Sequence, residues 1–287
     1  MQTEALNKFS VFGGGGFVGS YFVDAMNFDD VEVVERNEVE SPTPNIVNFI
    51  STVDNYNIYE DILLDIQTNL VHFMRILDSG RKKWGERLVF NQISTWFVYS
   101  NAELPSSETS PCDPKGFYSI TAFARENLLR SYCDTFGIEY RILRLGNVIG
   151  IGDKKISKKK NALQWMIKEL AQGRDVSVYK GGAIRDYIDV RDCVGAIRLV
   201  LEKGELNQIY NISNGKGLNV KDLVDVAHRE SGYVGKVGAM EVPDFHNTVQ
   251  IKHIWLNNSK LRSLGYAQRH DIKETVRELV RYYKQQG

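Results

Sequence analysis

Three glycines spaced by two residues, Gly13, Gly16 and Gly19, stand between a short apolar run (Phe9, Val11, Phe12) and an apolar-periodic stretch (Phe17, Val18, Tyr21, Phe22, Ala25). That order writes strand, tight turn and helix start in one line. Glycine at the first position allows a positive φ, at the second it lets a diphosphate approach the backbone, and at the third it lets helix and strand pack closely. The first turn of such a helix carries unpaired N–H groups and the positive end of its dipole, so the chemistry on offer is the binding of a dinucleotide. Val31 to Arg36 (VEVVER) reads as a second apolar strand ending in an acid, Glu35, with Arg36 beside it. The acid is placed to accept hydrogen bonds from the hydroxyls of an adenosine ribose, whereas the neighbouring guanidinium could clasp a 2′-phosphate. NAD and NADP are both open.

These groups need a sheet to hold them. Ile46 to Thr52 reads as a buried strand, and the stretch from Asn37 to Asn45 leaves no room for the helix, strand and helix that a full doubly wound half places there. The fold class is therefore α/β, a Rossmann-like doubly wound parallel sheet trimmed by one crossover unit, without the usual wall of an adenine pocket. A crossover helix is expected over Tyr59 to Ser79, with Ile62, Leu63, Ile66, Leu70, Phe73 and Leu77 on one face and a stop at Gly80. Arg87 to Ser94 reads as a strand continuing to Tyr99, Phe117 to Phe136 as a helix ended by Gly137, and Glu139 to Leu145 as a strand. Past Gly150, five lysines fall between Asp153 and Lys160: a solvated loop, or a phosphate-attracting lid. Helices over Ala162 to Gln172, Val220 to Ser231 and Ile272 to Tyr283, with strands over Val176 to Tyr179 and Asn207 to Ser213, complete the chain. We divide it into a dinucleotide-binding domain (1–152 plus 183–204) and a smaller substrate domain (153–182 plus 205–287).

Lys plus Arg equals Asp plus Glu, 36 of each in 287 residues, so no overall field draws the protein to nucleic acid or to a membrane surface. Cys112, Cys133 and Cys193 form no CxxC pair and suggest free thiols in a reducing cytoplasm, not a disulfide framework or a zinc site. Polar residues precede Phe9 where a leader would be apolar, and no run reaches the ~18 apolar residues of a spanning helix. A cytoplasmic protein is the expectation.

Several further segments resemble, in order and nearly end to end, the extended short-chain dehydrogenase/reductase family, in particular its NAD(P)-dependent nucleotide-sugar epimerases and dehydratases. FGGGGFVGS is similar to the family's opening loop and ISTWFVYS to its strand carrying a catalytic Ser or Thr. FYSITAFAREN sits where the Tyr-x-x-x-Lys helix belongs, and RLGNVIGIGD, IRDYIDVRD, YNISNGKGLNV and NNSKLRSLGY follow in the family's sequence. The resemblance implies Tyr118 as acid/base and Thr95 as its hydroxyl partner at the reacting carbon. It implies coenzyme contacts at Phe17, Val18, Ile50, Ser51 and Asn69 beside those at Gly13, Gly16, Gly19, Glu35 and Arg36, and contacts to the diphosphate of a nucleotide sugar at Asn147 and Arg185. It also implies a homodimer formed through the crossover helix and the Tyr118 helix.

Two departures bear on the reaction. The family's lysine, four residues after the tyrosine, is Ala122, although Glu126 keeps the register. An unassisted tyrosine of pKa ~10 is ionised about once in a thousand at pH 7. Arg125, one turn on, is either a substitute cation or a solvated residue. Trp96 and Phe97 stand where the dehydratases carry an Asp-Glu pair, which disfavours dehydration. His246 and Asn247 lie where many relatives use an arginine for the second phosphate. The expected function is thus an epimerase or reductase with a non-standard active site; the alternative is a binding protein that has lost redox catalysis and acts as a sensor or partner subunit.

Overall fold

In the computed structural model the described residues are 8–100, 102–249 and 251–286. The segment ahead of Lys8, on which the leader expectation rests, lies outside them.

β1 (Phe9–Phe12) runs through the glycine loop into α1 (Phe17–Ala25), followed by β2 (Val31–Val34) and β3 (Asn45–Asn48). A long helical run comes next, built of α2 (Leu64–Ile66), a π-helical stretch (Gln67–His72) and α3 (Phe73–Trp84); β4 (Val89–Thr95), α4 (Phe117–Phe136) and β5 (Glu139–Leu145) complete the first half. Then come β6 (Asn147–Ile149), α5 (Ala162–Ala171), β7 (Val176–Tyr179), β8 (Ile184–Arg185) and β9 (Tyr187–Asp189), and α6 (Val190–Lys203) leads back to β10 (Gln208–Ile212). The chain ends with β11 (Leu218–Asn219), α7 (Val220–Ser231), β12 (Val237–Met240), α8 (Asp244–Val249), α9 (Ser259–Ser263) and α10 (Ile272–Gln286).

Six parallel strands form the central sheet in the order β2-β1-β3-β4-β5-β10. β2 is an edge, with Val33 49% exposed, because the short connection to β3 carries no further strand to cover it. The trimmed sheet is as the loop length predicts. Alternate residues of the strands serve opposite faces: Val11, Val47, Ile93 and Leu143 pack with Phe22 of α1 and Val194 and Ile197 of α6. Phe12, Ile46, Phe90 and Ile142 pack with Phe73 and Leu77 of α3 and Leu129 of α4. Each such side chain contributes about 1.5–3 kcal/mol through its removal from water. β10 supplies the sixth strand, so residues 208–212 belong to the sheet and not to the smaller part assigned from sequence. In that smaller part α5, α7 and α10 enclose a separate core around Leu170, Val224 and Val276. β7 pairs with β12, and β8 with β11.

The crossover helix begins at Leu64 and not Tyr59, and β3 ends at Asn48 and not Thr52; two further boundaries differ for a local reason each. The crossover helix passes through Gly80 and stops at Gly85, which has φ 60°. Gly80 instead lets α3 lie close on the sheet: a Cβ there would meet Ile46 and Leu88 side chains at 3.1 and 3.2 Å. The strand through Thr95 does not continue to Tyr99, because Trp96–Val98 turn into a 3-10 helix capped by the Thr95 hydroxyl, which accepts from the Phe97 N–H at 3.3 Å.

Candidate active site

The glycine loop, the loop after β3 and the end of β4 all leave the sheet at the carboxyl ends of parallel strands, the edge at which open α/β sheets bind ligands. Gly13 leaves β1 at φ 78°, and its carbonyl accepts from the Gly16 N–H at 3.0 Å. A Cβ on Gly19 would stand 2.3 Å from the Gly13 carbonyl oxygen, so the third glycine is demanded by the turn itself. Gly16 begins α1 with no side-chain cap, leaving the first-turn N–H groups, those of Phe17 and Val18 among them, to face outward beside the exposed Gly15 and Gly16. A Cβ on Gly15 would meet nothing within 4 Å. A cradle of backbone donors with open space before it fits a dinucleotide's diphosphate. Glu35 and Arg36 stand exposed just past β2.

On the neighbouring strand ends a dense polar lattice fixes the next group. Asn69, buried in the π-helical stretch, accepts from the Ser51 hydroxyl at 3.2 Å and from the Thr52 N–H at 3.0 Å, and donates to the hydroxyls of Thr52 at 2.7 Å and Thr121 at 3.0 Å. The Ile50 N–H donates to Asn48 Oδ1 at 3.1 Å. Thus the π-helical turn joins the loop after β3 to α4. Asn55 on that loop meets the first turn of α4: its Oδ1 accepts from the Ser119 N–H at 3.4 Å, beside Gly116 at φ 81°. This cross-chain cap fixes the start of α4 and so the residue next to it.

Tyr118 occupies that first turn, 7% exposed, with Phe97 edge-on to its ring at 5.7 Å. Burial pushes its phenol up; hydrogen bonding with the Thr95 hydroxyl, the charge of Arg125 and the Ser51 hydroxyl pull it back, while Asp65 adds to the rise. Thr95 and Ser51 are thus the two hydroxyls that act on the Tyr118 phenol, while the Ser51 hydroxyl also donates to Asn69 Oδ1 at 3.2 Å. Ala122 is fully buried in a small apolar cluster with Trp96, Tyr99, Ile254 and Leu256. Arg125 is not solvated: it is 1% exposed, donating from Nη1 to the Ile50 carbonyl at 3.0 Å and from Nη2 to the Ile93 carbonyl at 3.2 Å. Glu126, next to it, is held by a buried ion pair with Arg144 at 2.6 Å and by the Ser94 hydroxyl.

Across the crevice, Trp96 donates from its indole to Asn147 Oδ1 at 3.2 Å, and Asn147 Nδ2 donates to the Asp186 carbonyl at 2.9 Å. The indole is stacked on Phe97 at 3.9 Å and lies under the Arg185 guanidinium at 5.4 Å. One aromatic residue thus touches both residues assigned to the substrate diphosphate, a contact with no signal in the sequence. Arg185 donates to the carbonyls of Ile184 and Lys252. The acids beside it are occupied otherwise. Asp186 accepts the N–H groups of Asn214, Gly215 and Leu256, and Asp189 caps α6 while pairing with Arg191. Burial pushes the Asp186 carboxyl up to about 7, against those three donors.

The mouth is closed by groups far apart in sequence. His246 hydrogen-bonds through Nε2 to the Tyr56 hydroxyl and through Nδ1 to the Tyr179 hydroxyl, joining the loop after β3 to β7. Lys159 of the lysine segment pairs with Glu60 at 2.9 Å and lies over the Tyr56 ring at 5.3 Å. The segment is therefore tied through Lys159 to the loop after β3.

The family model described as NAD dependent epimerase/dehydratase family matches residues 45–213. A putative UDP-glucose 4-epimerase of Methanocaldococcus jannaschii is 25% identical to the chain, covering 96% of this chain and 97% of that protein. Among solved structures, UDP-glucuronic acid 4-epimerase from Bacillus cereus in complex with UDP-glucuronic acid and NAD superposes with a TM-score of 0.83 at 18% identity, covering 98% of this chain and 100% of that one. RMD from Pseudomonas aeruginosa complexed with NADPH does so with a TM-score of 0.83 at 18% identity, covering 98% and 99%. At such identities the superpositions speak for the fold. The match over residues 45–213 speaks for descent: the chain belongs to the NAD dependent epimerase/dehydratase family.

Proposed function

We propose that the chain is an NAD(P)-dependent nucleotide-sugar epimerase or reductase, with Tyr118 as acid/base and Thr95 as its hydroxyl partner. The observation that carries this reading is that the Thr95 and Ser51 hydroxyls, from the ends of β4 and β3, both act on the Tyr118 phenol, on the sheet edge that also carries the glycine loop. Gly13, Gly16 and Gly19, with the N–H groups of Phe17 and Val18, would hold the coenzyme diphosphate, Glu35 the adenosine ribose, and Arg36 a 2′-phosphate if one is present. Ile50 and Ser51 would flank the nicotinamide side. Asn69, whose amide is engaged by Ser51, Thr52 and Thr121, acts by fixing Ser51 and Thr52. When bound, the nicotinamide supplies a hydride acceptor and donor.

The chain's own residues then move the proton. Tyr118 takes it from a sugar hydroxyl and returns it, while Thr95 donates to the oxygen on which charge develops. Asn147 and Arg185 would orient the sugar's diphosphate, for which the planar guanidinium is suited. Trp96 and Phe97, which carry no proton at neutral pH, exclude water where a dehydratase needs an acid and a base. Support for a nucleotide-sugar substrate comes from the relatives named above. The smaller part, 153–182 with the chain beyond the sheet, would close over that substrate, the Tyr56–His246–Tyr179 contact marking the closed edge.

We also propose pairing of two copies through α3 and α4. Ile120 and Leu128 are exposed on α4, and Leu70, Val71, Met74 and Tyr132 line a groove between the helices. Light scattering at a dimer's mass supports this; a monomer at all concentrations overturns it. For the function, calorimetry with NAD(H) and NADP(H) followed by product analysis with a panel of nucleotide sugars is the test. Coenzyme binding with conversion of a sugar is expected. Tight sugar-nucleotide binding without conversion by any coenzyme would favour the degenerate sensor instead.

A further inference from the structure

The family's resemblance leaves a specific gap, because the residue one turn after Tyr118 is Ala122 and cannot carry charge. The gap is filled from the next turn. Side chains on a helix lean toward its N-terminus, so a long residue covers the turn ahead of its own Cα. Arg125 does this: although it belongs to the turn after Ala122, its guanidinium lies on the carbonyls of Ile50 and Ile93, at 3.0 and 3.2 Å. Ile50 immediately precedes Ser51, whose hydroxyl meets the Tyr118 phenol, and Ile93 lies two residues before Thr95, whose hydroxyl does the same. The cation is therefore bolted to the two strand ends that hold the tyrosine's partners.

Three features separate this arginine from an ordinary structural one. It is 1% exposed, so its charge acts through protein and not through water. Its anchors are two carbonyls, which leave the charge unneutralised, and its buried Nε has no hydrogen-bond partner among the described residues. The carboxylate next to it, Glu126, is ion-paired with Arg144 on the other side. Desolvating such a guanidinium is costly: burial lowers its pKa, and the charges of Tyr118 and Glu126 act the other way, toward its keeping the proton. A fold that keeps it there has a use for the charge.

We propose that Arg125 is a positioning residue for proton transfer at Tyr118, supplying from the Ile50 and Ile93 carbonyls the positive charge that position 122 lacks. This rests on Tyr118 being the acid/base. The proton passes only between Tyr118 and its substrate; the guanidinium keeps all its own protons and stabilises the phenolate by charge. The groups facing the phenol are the hydroxyls of Thr95 from β4 and Ser51 after β3, the Asp65 carboxylate from α2, which opposes ionisation, and Arg125. Asp65 is itself tied by a hydrogen bond from Asn57 at 2.9 Å. Arg125 is the one cation in that set.

Titration of Tyr118 in the coenzyme-free protein tests this directly, by 13Cζ-tyrosine NMR with the signal assigned from Tyr118→Phe. Arg125→Gln keeps an amide donor for the two carbonyls and removes the charge. Arg125→Lys keeps the charge. The expected result is a Tyr118 midpoint higher by on the order of one pH unit in Arg125→Gln and within a few tenths of wild type in Arg125→Lys. Thermal melts establish that each variant is folded. With a turning-over substrate, the same substitution moves the rising limb of the pH–rate profile to higher pH by a matching amount. A folded Arg125→Gln with an unmoved midpoint overturns the proposal, and so does an Arg125→Lys that shifts as far as Arg125→Gln. Should Arg125→Gln fail to fold, Arg125→Met, which keeps a long stem without the charge, takes its place: a raised midpoint supports the proposal, and one held at wild type overturns it. Because the titration needs neither coenzyme nor sugar, it can succeed where the enzymatic reading fails.

Discussion

The cradle at the start of α1 and the reacting centre at the start of α4 lie along the same sheet edge yet are built from different material. The first is made of backbone: Gly13 supplies the bend, and Gly19 the space that a Cβ would fill at 2.3 Å from a carbonyl oxygen. The second is made of side chains drawn from α2, the loop after β3, β4 and α4 itself, joined by hydrogen bonds. A backbone site tolerates no change at its glycines, because main-chain geometry has no substitute. A side-chain site can draw a charge from a neighbouring turn, which is the role proposed for Arg125 beside Ala122.

That contrast can be broken by removing one group from each site. Tyr118→Phe is expected to lower turnover by about 10²- to 10⁴-fold with coenzyme affinity held within about twofold; comparable kinetics in the variant would remove Tyr118 from the mechanism. Gly19→Ala should do the converse. Overpacking of about 1–3 kcal/mol at the loop lowers coenzyme affinity by on the order of tenfold to a hundredfold in calorimetry, and unchanged affinity would mean that the cradle is not where the diphosphate sits. Trp96→Phe keeps an aromatic face but deletes the indole donor to Asn147, so the substrate KM should rise by about tenfold while coenzyme binding stays as it was. An effect on coenzyme alone would place Trp96 on the wrong side of Tyr118.

The smallest effect concerns pH at the cleft mouth. Burial first, and the charge of Arg185 second, lower the pKa of His246. The fold thus favours the neutral ring: its contribution is complete above the ordinary histidine value of ~6.5 and is lost as pH falls through that value toward the folded one. Melting temperatures at pH 8 and pH 5.5 should show a loss of about 1 kcal/mol or less that His246→Asn abolishes. An identical acid loss in the variant would assign it to other groups.

The sequence carries most of the backbone site and much less of the other. Gly13, Gly19 and the short Asn37–Asn45 connection are direct statements about turn, packing and strand order, and the sheet follows them. Gly137, at φ 64°, ends α4 where the sequence predicts. The crossover helix is less legible because Gln67–His72 is wound as a π-helix. Asn69 within that stretch and Asp65 just before it are buried, whereas Ile62 and Leu63, expected on the buried face, precede the helix and are 58% and 52% exposed. Tyr56, Tyr179 and His246 come together only through tertiary structure, since no local spacing links them. Arg125 lies between the two cases: its spacing names it, but only the fold shows it buried rather than solvated.

The most direct measurement of the central claim is a single-turnover experiment at 340 nm, in which the coenzyme-loaded protein is mixed with a panel of nucleotide sugars. We expect a transient or net change in reduced nicotinamide with at least one sugar, abolished in Tyr118→Phe while the coenzyme stays bound. Loaded protein that shows no change with any sugar, or a Tyr118→Phe variant that shows the same change as wild type, would contradict the account.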